Sequence, residues 1–304
     1  SGETLNAAIL ERGGEGKAAH VCHKGCVIRC SQWYVDKKGK YITSGLEYET
    51  IWGLGANAGI EDLDAIAYID REMDNVGVDS IEVAAATATA MEGGLIPWGD
   101  GQGVLEIVKQ MANPTPLARI IAGGCAVVGK VCGLYRVPVV KNQAIPAYDP
   151  RAIKGIGLTY ATSPMGADHT AGYCISGNIL NIGATMDPLK KDGQIEYARS
   201  MQIGTAALDS TGMCIFVYFG IGDNPEGYQA LIDMINAQHG ISLTAEDVDR
   251  LGENVLKTEL DFNRRAGFTN VHDRLPEFME YEPIAPHNVV WDFTPEEIDE
   301  VLKF

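Results

Sequence analysis

A crowd of thiols constrains this chain more than any other feature. Cys22, Cys26 and Cys30 fall at intervals of four within HVCHKGCVIRC. On a helix that spacing puts three thiols on one slowly drifting stripe, and cysteine outside disulfides is a favoured core residue, so a buried helical face is one reading. The other is a metal centre. Lys24, Gly25 and Arg29 interleave with the thiols, and glycine weakens a helix interior, so a compact loop wrapping a metal is the stronger reading. Zinc fits less well, because a second close pair of ligands is lacking. A [4Fe–4S] cluster commonly takes four thiolates, so a fourth ligand has to come from elsewhere in the chain.

The remaining composition narrows the setting. At 304 residues the chain has room for one large or two ordinary domains. Seven cysteines, an odd number with three crowded together, fit a reducing, cytoplasmic compartment better than a disulfide framework. A net charge of −17 argues against nucleic-acid binding and favours solubility and a basic partner. No run of about 18 apolar residues exists, so no membrane span is expected. ETLNAAILERGGEGKAAH has neither a basic start nor an uninterrupted apolar core, so no signal peptide is expected.

Helical signals dominate. Segments 60–73, 80–94, 193–208 and 228–239 carry helical patterns or stops, and VLEIVKQMANP ends before a proline. TPLARIIAGGCAVVGKVCG reads as one buried, small-residue helix. Thr244 reads as an N-cap, and Thr294 with Pro295 and Glu297 as a capping box. Strand-like runs are few: VIRCSQWYV, VVK and CIFVYFG. The expected fold is mainly α, in two helical domains, 1–140 and 141–304, that meet at a Pro-rich stretch near 136–150.

One pattern occurs once in each half. DNVGVD (74–79) and DSTGMC (209–214) both read Asp-x-x-Gly, then an apolar residue, then Asp or Cys, and each follows a helical segment. An aspartate at a helix end followed by a glycine turn exposes a carboxylate and backbone N–H groups, which suits a ligand rich in ring donors and acceptors. One copy is an ordinary helix stop. Two copies, the second ending in Cys214, offer the missing thiolate.

With these residues in view, the chain resembles domains 2 and 3 of the aldehyde ferredoxin oxidoreductase family, enzymes with a tungsten bis-pyranopterin and one [4Fe–4S] cluster. The likeness runs through SGETLN, LEYETIWGLGANAGIEDLDAIA, AIPAYDPRAIKGIGLTYATSPMGADH and LTAEDVDRLGENVLKTELDFNRRAGF with HDRLP. It implies Cys22, Cys26, Cys30 and Cys214 as cluster ligands. Asp74, Gly77, Val78 and Asp79 would grip one pterin, and Asp209, Gly212 and Met213 the other. Glu49, after Tyr48, and His169, in GADH, match the family's active-site acid and histidine. The implied activity is oxidation of a small aldehyde to a carboxylic acid, or a related low-potential reaction, in an anaerobic cytoplasm. Tungsten or molybdenum would do the redox work, and electrons would pass through the cluster to ferredoxin or an iron–sulfur partner subunit. Two departures stand out. The family's C-x2-C-x3-C is here C-x3-C-x3-C, and the family's N-terminal pterin-binding domain is absent from this sequence, so the chain is expected to be inactive alone. The alternative is a non-catalytic iron–sulfur electron-transfer module, which uses the thiols but leaves the Asp loops, Glu49 and His169 without a role.

The other candidates have bland readings. His20 and His23 read as solvated loop residues, Cys125, Cys132 and Cys174 as core thiols, and GDGQG (99–103) as a weak phosphate-loop signal.

Overall fold

Side-chain oxygens close many of the helix starts. Asp62, Asp79, Asp100, Thr115, Thr244 and Thr294 each accept a backbone N–H from the first turn of the helix they precede. These are amides with no partner inside the helix. The computed structural model, which describes residues 2–222 and 224–304, is mainly α, as expected. It forms two units: the chain up to Pro138 with Asn142–Ala147, and Val139–Lys141 with Tyr148–Phe304.

The first unit opens with α1 (Gly2–Arg12) and a three-stranded antiparallel sheet, β1 (Lys17–His20), β2 (Ser31–Val35) and β3 (Tyr41–Ser44), in the order β1-β2-β3. Arg12 fastens these to the helices: its guanidinium donates to Asp64 (2.6 Å) and to the Val35 carbonyl (2.8 Å), while the Tyr34 hydroxyl donates to Asp64 (2.7 Å). Next come α2 (Tyr48–Ile51), which runs into a π-helical turn at Trp52–Asn57, then α3 (Leu63–Val76), α4 (Ser80–Glu92), α5 (Gly101–Lys109), α6 (Pro116–Ala122) and α7 (Cys125–Cys132). α3 buries Ile66, Ile69, Asp70 and Met73, the i, i+3, i+4, i+7 stripe of an amphipathic helix, and packs on α5. α4 is buried from Val83 to Met91, so it is the central helix, in contact with α6, α7 and the π turn. The Glu82 carboxylate accepts N–H groups from Cys125 (2.7 Å) and Ala144 (2.8 Å), tying α4 to the start of α7.

In the second unit, α9 (Gln194–Ser210) packs against α8 (Lys154–Thr162) and α12 (Ala245–Arg265). α10 (Ile215–Ile221), α11 (Pro225–His239) and α13 (Pro295–Asp299) complete the set. Every residue of α8 is buried, including Lys154, whose ammonium donates to Asp292 (2.5 Å) and the Val290 carbonyl (3.0 Å). α9 and α12 cross closely where Gly252 meets the Ile203 carbonyl; a Cβ on Gly252 would overlap that oxygen. Among the described residues no single helix is long and apolar enough to cross a membrane.

Three expectations are corrected. TPLARIIAGGCAVVGKVCG forms two helices, α6 and α7, because Gly124 takes φ +89°, outside the helical region. CIFVYFG forms helix α10, not a strand: its aromatic and branched residues favour strands only weakly, and it packs on α9 and α11. In VIRCSQWYV only Ser31–Val35 is strand, since the thiols before it lie in a loop.

Candidate functional site

Residues 21–30 form the connection between β1 and β2, with His20 paired to Ser31 at its base. The cysteines therefore sit on a loop and not on a packed helix. Cys22 and Cys30 are exposed and Cys26 is half-buried. The chain turns through two positive-φ residues, Gly25 (+91°) and Arg29 (+55°), and the Cys26 N–H donates to the His23 carbonyl at 3.2 Å. Backbone amides of Arg29 and Ile28 donate toward the Cys26 sulfur and hold its pKa below the usual thiol range. The thiolate is the form that ligates metal, and a lowered pKa favours it. The three sulfurs do not converge: among the described residues no three His, Cys, Asp or Glu side chains stand close enough to hold a metal ion. Cys214 belongs to the second unit.

The two Asp-x-x-Gly copies fold alike. Asp74 lies in the last turn of α3, Gly77 caps that helix at φ +73°, and Asp79 (φ −70°, ψ 128°) starts α4. Asp209 lies in the last turn of α9, Gly212 takes φ +72°, and Cys214 (φ −70°, ψ 134°) starts α10. Each is a helix–glycine–helix corner, and α9 and α10 bend by 113° at theirs. A Cβ at Gly77 or Gly212 would meet nothing within 4 Å, so both glycines face open space; the left-handed φ is what requires them. The amides at and just after each glycine, however, are already engaged. Gly77 and Val78 N–H groups donate to Met73 and Asp74 carbonyls, Gly212 N–H to Asp209, and Met213 N–H to the Thr211 hydroxyl. Asp79 spends one carboxylate oxygen on the Glu82 N–H (2.7 Å). What the corners present is carboxylate and bare glycine. At GDGQG the Asp100 carboxylate itself caps α5 by accepting the Gly103 N–H (2.8 Å), which blocks the phosphate reading.

Glu49 is buried in the first turn of α2, 6% exposed, and accepts the Ala147 N–H at 2.8 Å. Burial, partly offset by that hydrogen bond, pushes its carboxyl up to about 7. Tyr48 beside it is exposed and lines a cavity of about 950 Å³ with Arg29, Cys30, Gln32 and Trp52. His169 stacks on Tyr148 (5.7 Å, 8° between planes) and meets Tyr173 edge-on (5.6 Å); the two tyrosine hydroxyls share a 2.8 Å hydrogen bond. Burial lowers the His169 pKa despite the neighbouring Asp168, which favours the neutral ring near pH 7. Asp209 lines a second-unit cavity of about 600 Å³ with Asp168 and Glu259. Burial and repulsion from Asp168 raise Asp209, and burial with repulsion from Asp209 and Asp168 raises Glu259. Sequence reading missed Tyr148, Tyr173, Asp168 and Glu259; only the closeness of Asp168 to His169 was visible in one dimension. Cys125 and Cys174 are buried, their thiols pushed up to about 11 and about 12, while Cys132 is half-buried.

A family model described as aldehyde ferredoxin oxidoreductase, domains 2 and 3, matches residues 1–303. The tungsten-containing aldehyde ferredoxin oxidoreductase of Pyrococcus horikoshii is 35% identical over 303 residues, and that of Pyrococcus furiosus 34% over 301; each match covers 93% of this chain and 48% of the relative. A protein of Pyrococcus furiosus named aliphatic sulfonate oxidoreductase, WOR-like subunit, is 23% identical over 247 residues, covering 73% of this chain and 35% of its own. The chain spans about half the length of the curated relatives it matches.

Proposed function

The chain belongs to the aldehyde ferredoxin oxidoreductase family, and from that premise we propose that it is the cluster- and pterin-binding portion of a tungsten oxidoreductase that oxidises an aldehyde to a carboxylic acid. The observation that carries this is the repeated corner: one helix–glycine–helix turn per unit, at nearly equal φ, with an aspartate before each glycine and Cys214 closing the second. An ordinary helix stop does not need to recur with a thiol at its end.

The residues suit the groups they would hold. Asp74 and Asp209 offer carboxylates to pterin ring N–H groups, and Gly77 and Gly212 leave room for a flat ring to approach. Cys22, Cys26, Cys30 and Cys214 would supply the four thiolates of a [4Fe–4S] cluster, the loop drawing its three sulfurs together as the cluster binds, and the lowered pKa of Cys26 favours the ligating form. When bound, tungsten and the pterins supply the two-electron step and the cluster a one-electron exit to ferredoxin. The chain's own residues manage protons. Oxidising an aldehyde with one water releases a carboxylate, three protons and two electrons, so a base is needed near neutral pH. Glu49, with its carboxyl at about 7, is divided between acid and base there and is suited to take and return a proton. His169, neutral and held flat against Tyr148, can donate a hydrogen bond to a substrate carbonyl without adding charge. The N-terminal half that the relatives have would complete the pterin cradle, so the chain alone is expected not to turn over. The relative named for a sulfonate substrate leaves room for a substrate other than a simple aldehyde.

The test is metal analysis of protein purified without oxygen. Wild type is expected to hold about four iron atoms per chain, and Cys22→Ser/Cys26→Ser/Cys30→Ser to hold under about one-tenth of that. Equal iron in both would sink the ligand assignment. Tungsten is expected only after assembly with the N-terminal half.

A further inference from the structure

The charge of this protein is unevenly placed. The whole chain carries −17. Residues 16–41, which hold the cysteine loop and most of the sheet, carry six basic residues against one acid, a net +5. Lys17, Lys24, Arg29, Lys37, Lys38 and Lys40 are all exposed, and the described ion pairs engage none of them. The acids nearest in sequence are occupied by backbone: Asp36 accepts the Lys38 and Lys40 N–H groups (2.8 and 2.9 Å), and Glu15 accepts the Tyr41 N–H (2.7 Å). An unneutralised positive surface has survived in a strongly acidic protein, around the three thiols.

Its layout suits a docking face. β1 has four residues, roughly 13 Å at about 3.3 Å each, so the lysines of the β2–β3 turn and the cations of the cysteine loop flank a short sheet. Both fit within one interface of about 800 Å² per partner. Apolar side chains stand among the charges: Val27 is 90% exposed and Ile28 42%. An aromatic run crosses the sheet's outer face from the base of the cysteine loop. His20 meets Trp33 at 4.7 Å, Trp33 meets Tyr41 at 5.6 Å, and the Lys17 ammonium sits 3.5 Å above the Trp33 ring.

We propose that this basic face around the cysteine loop docks a small acidic iron–sulfur electron carrier, and that electrons leave the enzyme there. The inference rests on the cluster reading above and adds where the carrier binds and what holds it. In each encounter the reduced cluster loses one electron and the oxidised carrier gains one, with no bond made or broken. Two encounters clear the pair released per aldehyde. Charge complementarity speeds association and weakens with salt. An acidic carrier is repelled by most of this chain's surface and attracted here, so the attraction also orients it with its redox centre toward the loop.

The experiment uses the 304-residue chain with its cluster reconstituted in the absence of oxygen, and an acidic two-cluster bacterial ferredoxin as probe. Iron content and binding are measured together, at about 50 and 300 mM salt. Lys17→Gln/Lys37→Gln/Lys38→Gln/Lys40→Gln neutralises the face outside the cysteine loop. Lys109→Gln/Lys190→Gln/Lys257→Gln/Lys303→Gln changes net charge equally elsewhere. The expected result is unchanged iron in all three, with Kd weakened roughly tenfold or more at low salt in the first variant and less than about twofold in the second. Full iron with both variants binding like wild type overturns the docking face and leaves the cluster reading standing. Competition by duplex DNA as effective as by ferredoxin overturns it too, since the face would then read polyanions alone. No iron in the wild type overturns the cluster reading and the inference with it.

Discussion

Glu49→Gln raises the stability of the chain at pH 8 while removing turnover from the assembled enzyme. The carboxyl titrates near 4.5 when exposed and at about 7 in the fold. The native state therefore binds this proton more tightly than the unfolded chain. Its favourable contribution is complete below about pH 4.5 and is lost as pH rises through about 7. Above that, keeping the group ionised inside α2 costs at most about 3 kcal/mol, the free-energy equivalent of the shift. Glutamine is nearly isosteric, keeps an oxygen for the Ala147 N–H, and carries no charge. Urea unfolding should show a gain of up to about 3 kcal/mol at pH 8, falling to about 1 kcal/mol at pH 5 and vanishing below about pH 4. Aldehyde-dependent dye reduction by the variant chain, assembled with the N-terminal half, should fall roughly a hundred- to ten-thousand-fold, with the ascending limb of the pH profile near 7 removed. A variant less stable than wild type at pH 8 would instead make Glu49 a structural carboxylate, and activity within about twofold of wild type would remove it from the chemistry.

Gly252→Ala is expected to cost about 3 kcal/mol of unfolding free energy and to lower the melting temperature by roughly 10 °C. The new methyl would overlap the Ile203 carbonyl, a backbone atom in the middle of α9. Such an atom cannot rotate aside as a side chain does, so one of the two longest helices must shift. The effect reaches the candidate site, because Asp209 lies six residues further along α9, under two turns away. Loss of stability together with weaker pterin binding in the assembled enzyme is the expected pair. A neutral Gly252→Ala would show that the α9–α12 crossing is loose enough to relax.

What could be read in one dimension was local. The caps at Thr244 and Thr294 were legible because the residues that satisfy the first-turn amides are neighbours in sequence. The corners at 74–79 and 209–214 were legible because their glycines mark helix ends. α8 was not, because a helix buried on every side has no polar stripe to set its period. CIFVYFG was misread because its strand propensity is outweighed by packing on α9 and α11. The strands β1 and β3, four residues each, gave too short an alternation to register. At the site, the cysteines were conspicuous by spacing, while the roles of Glu49 and His169 came only from resemblance. Their surroundings came from neither: the amide that meets Glu49 is Ala147, and the ring under His169 is Tyr148, each brought in by folding.

The cysteine loop also has a timetable. It is framed by strands that begin at Lys17 and end at Ser44, so that frame is complete once Ser44 has left the ribosome. Cys214 follows Cys30 by 184 positions, a delay on the order of ten to forty seconds at about 5–20 residues per second. For that interval a nascent chain can present three thiols with no fourth partner yet made. Maturation during synthesis would therefore begin on a three-thiol platform, and whatever delivers iron and sulfide would meet an open corner of the cluster before the second half of the chain arrives to close it.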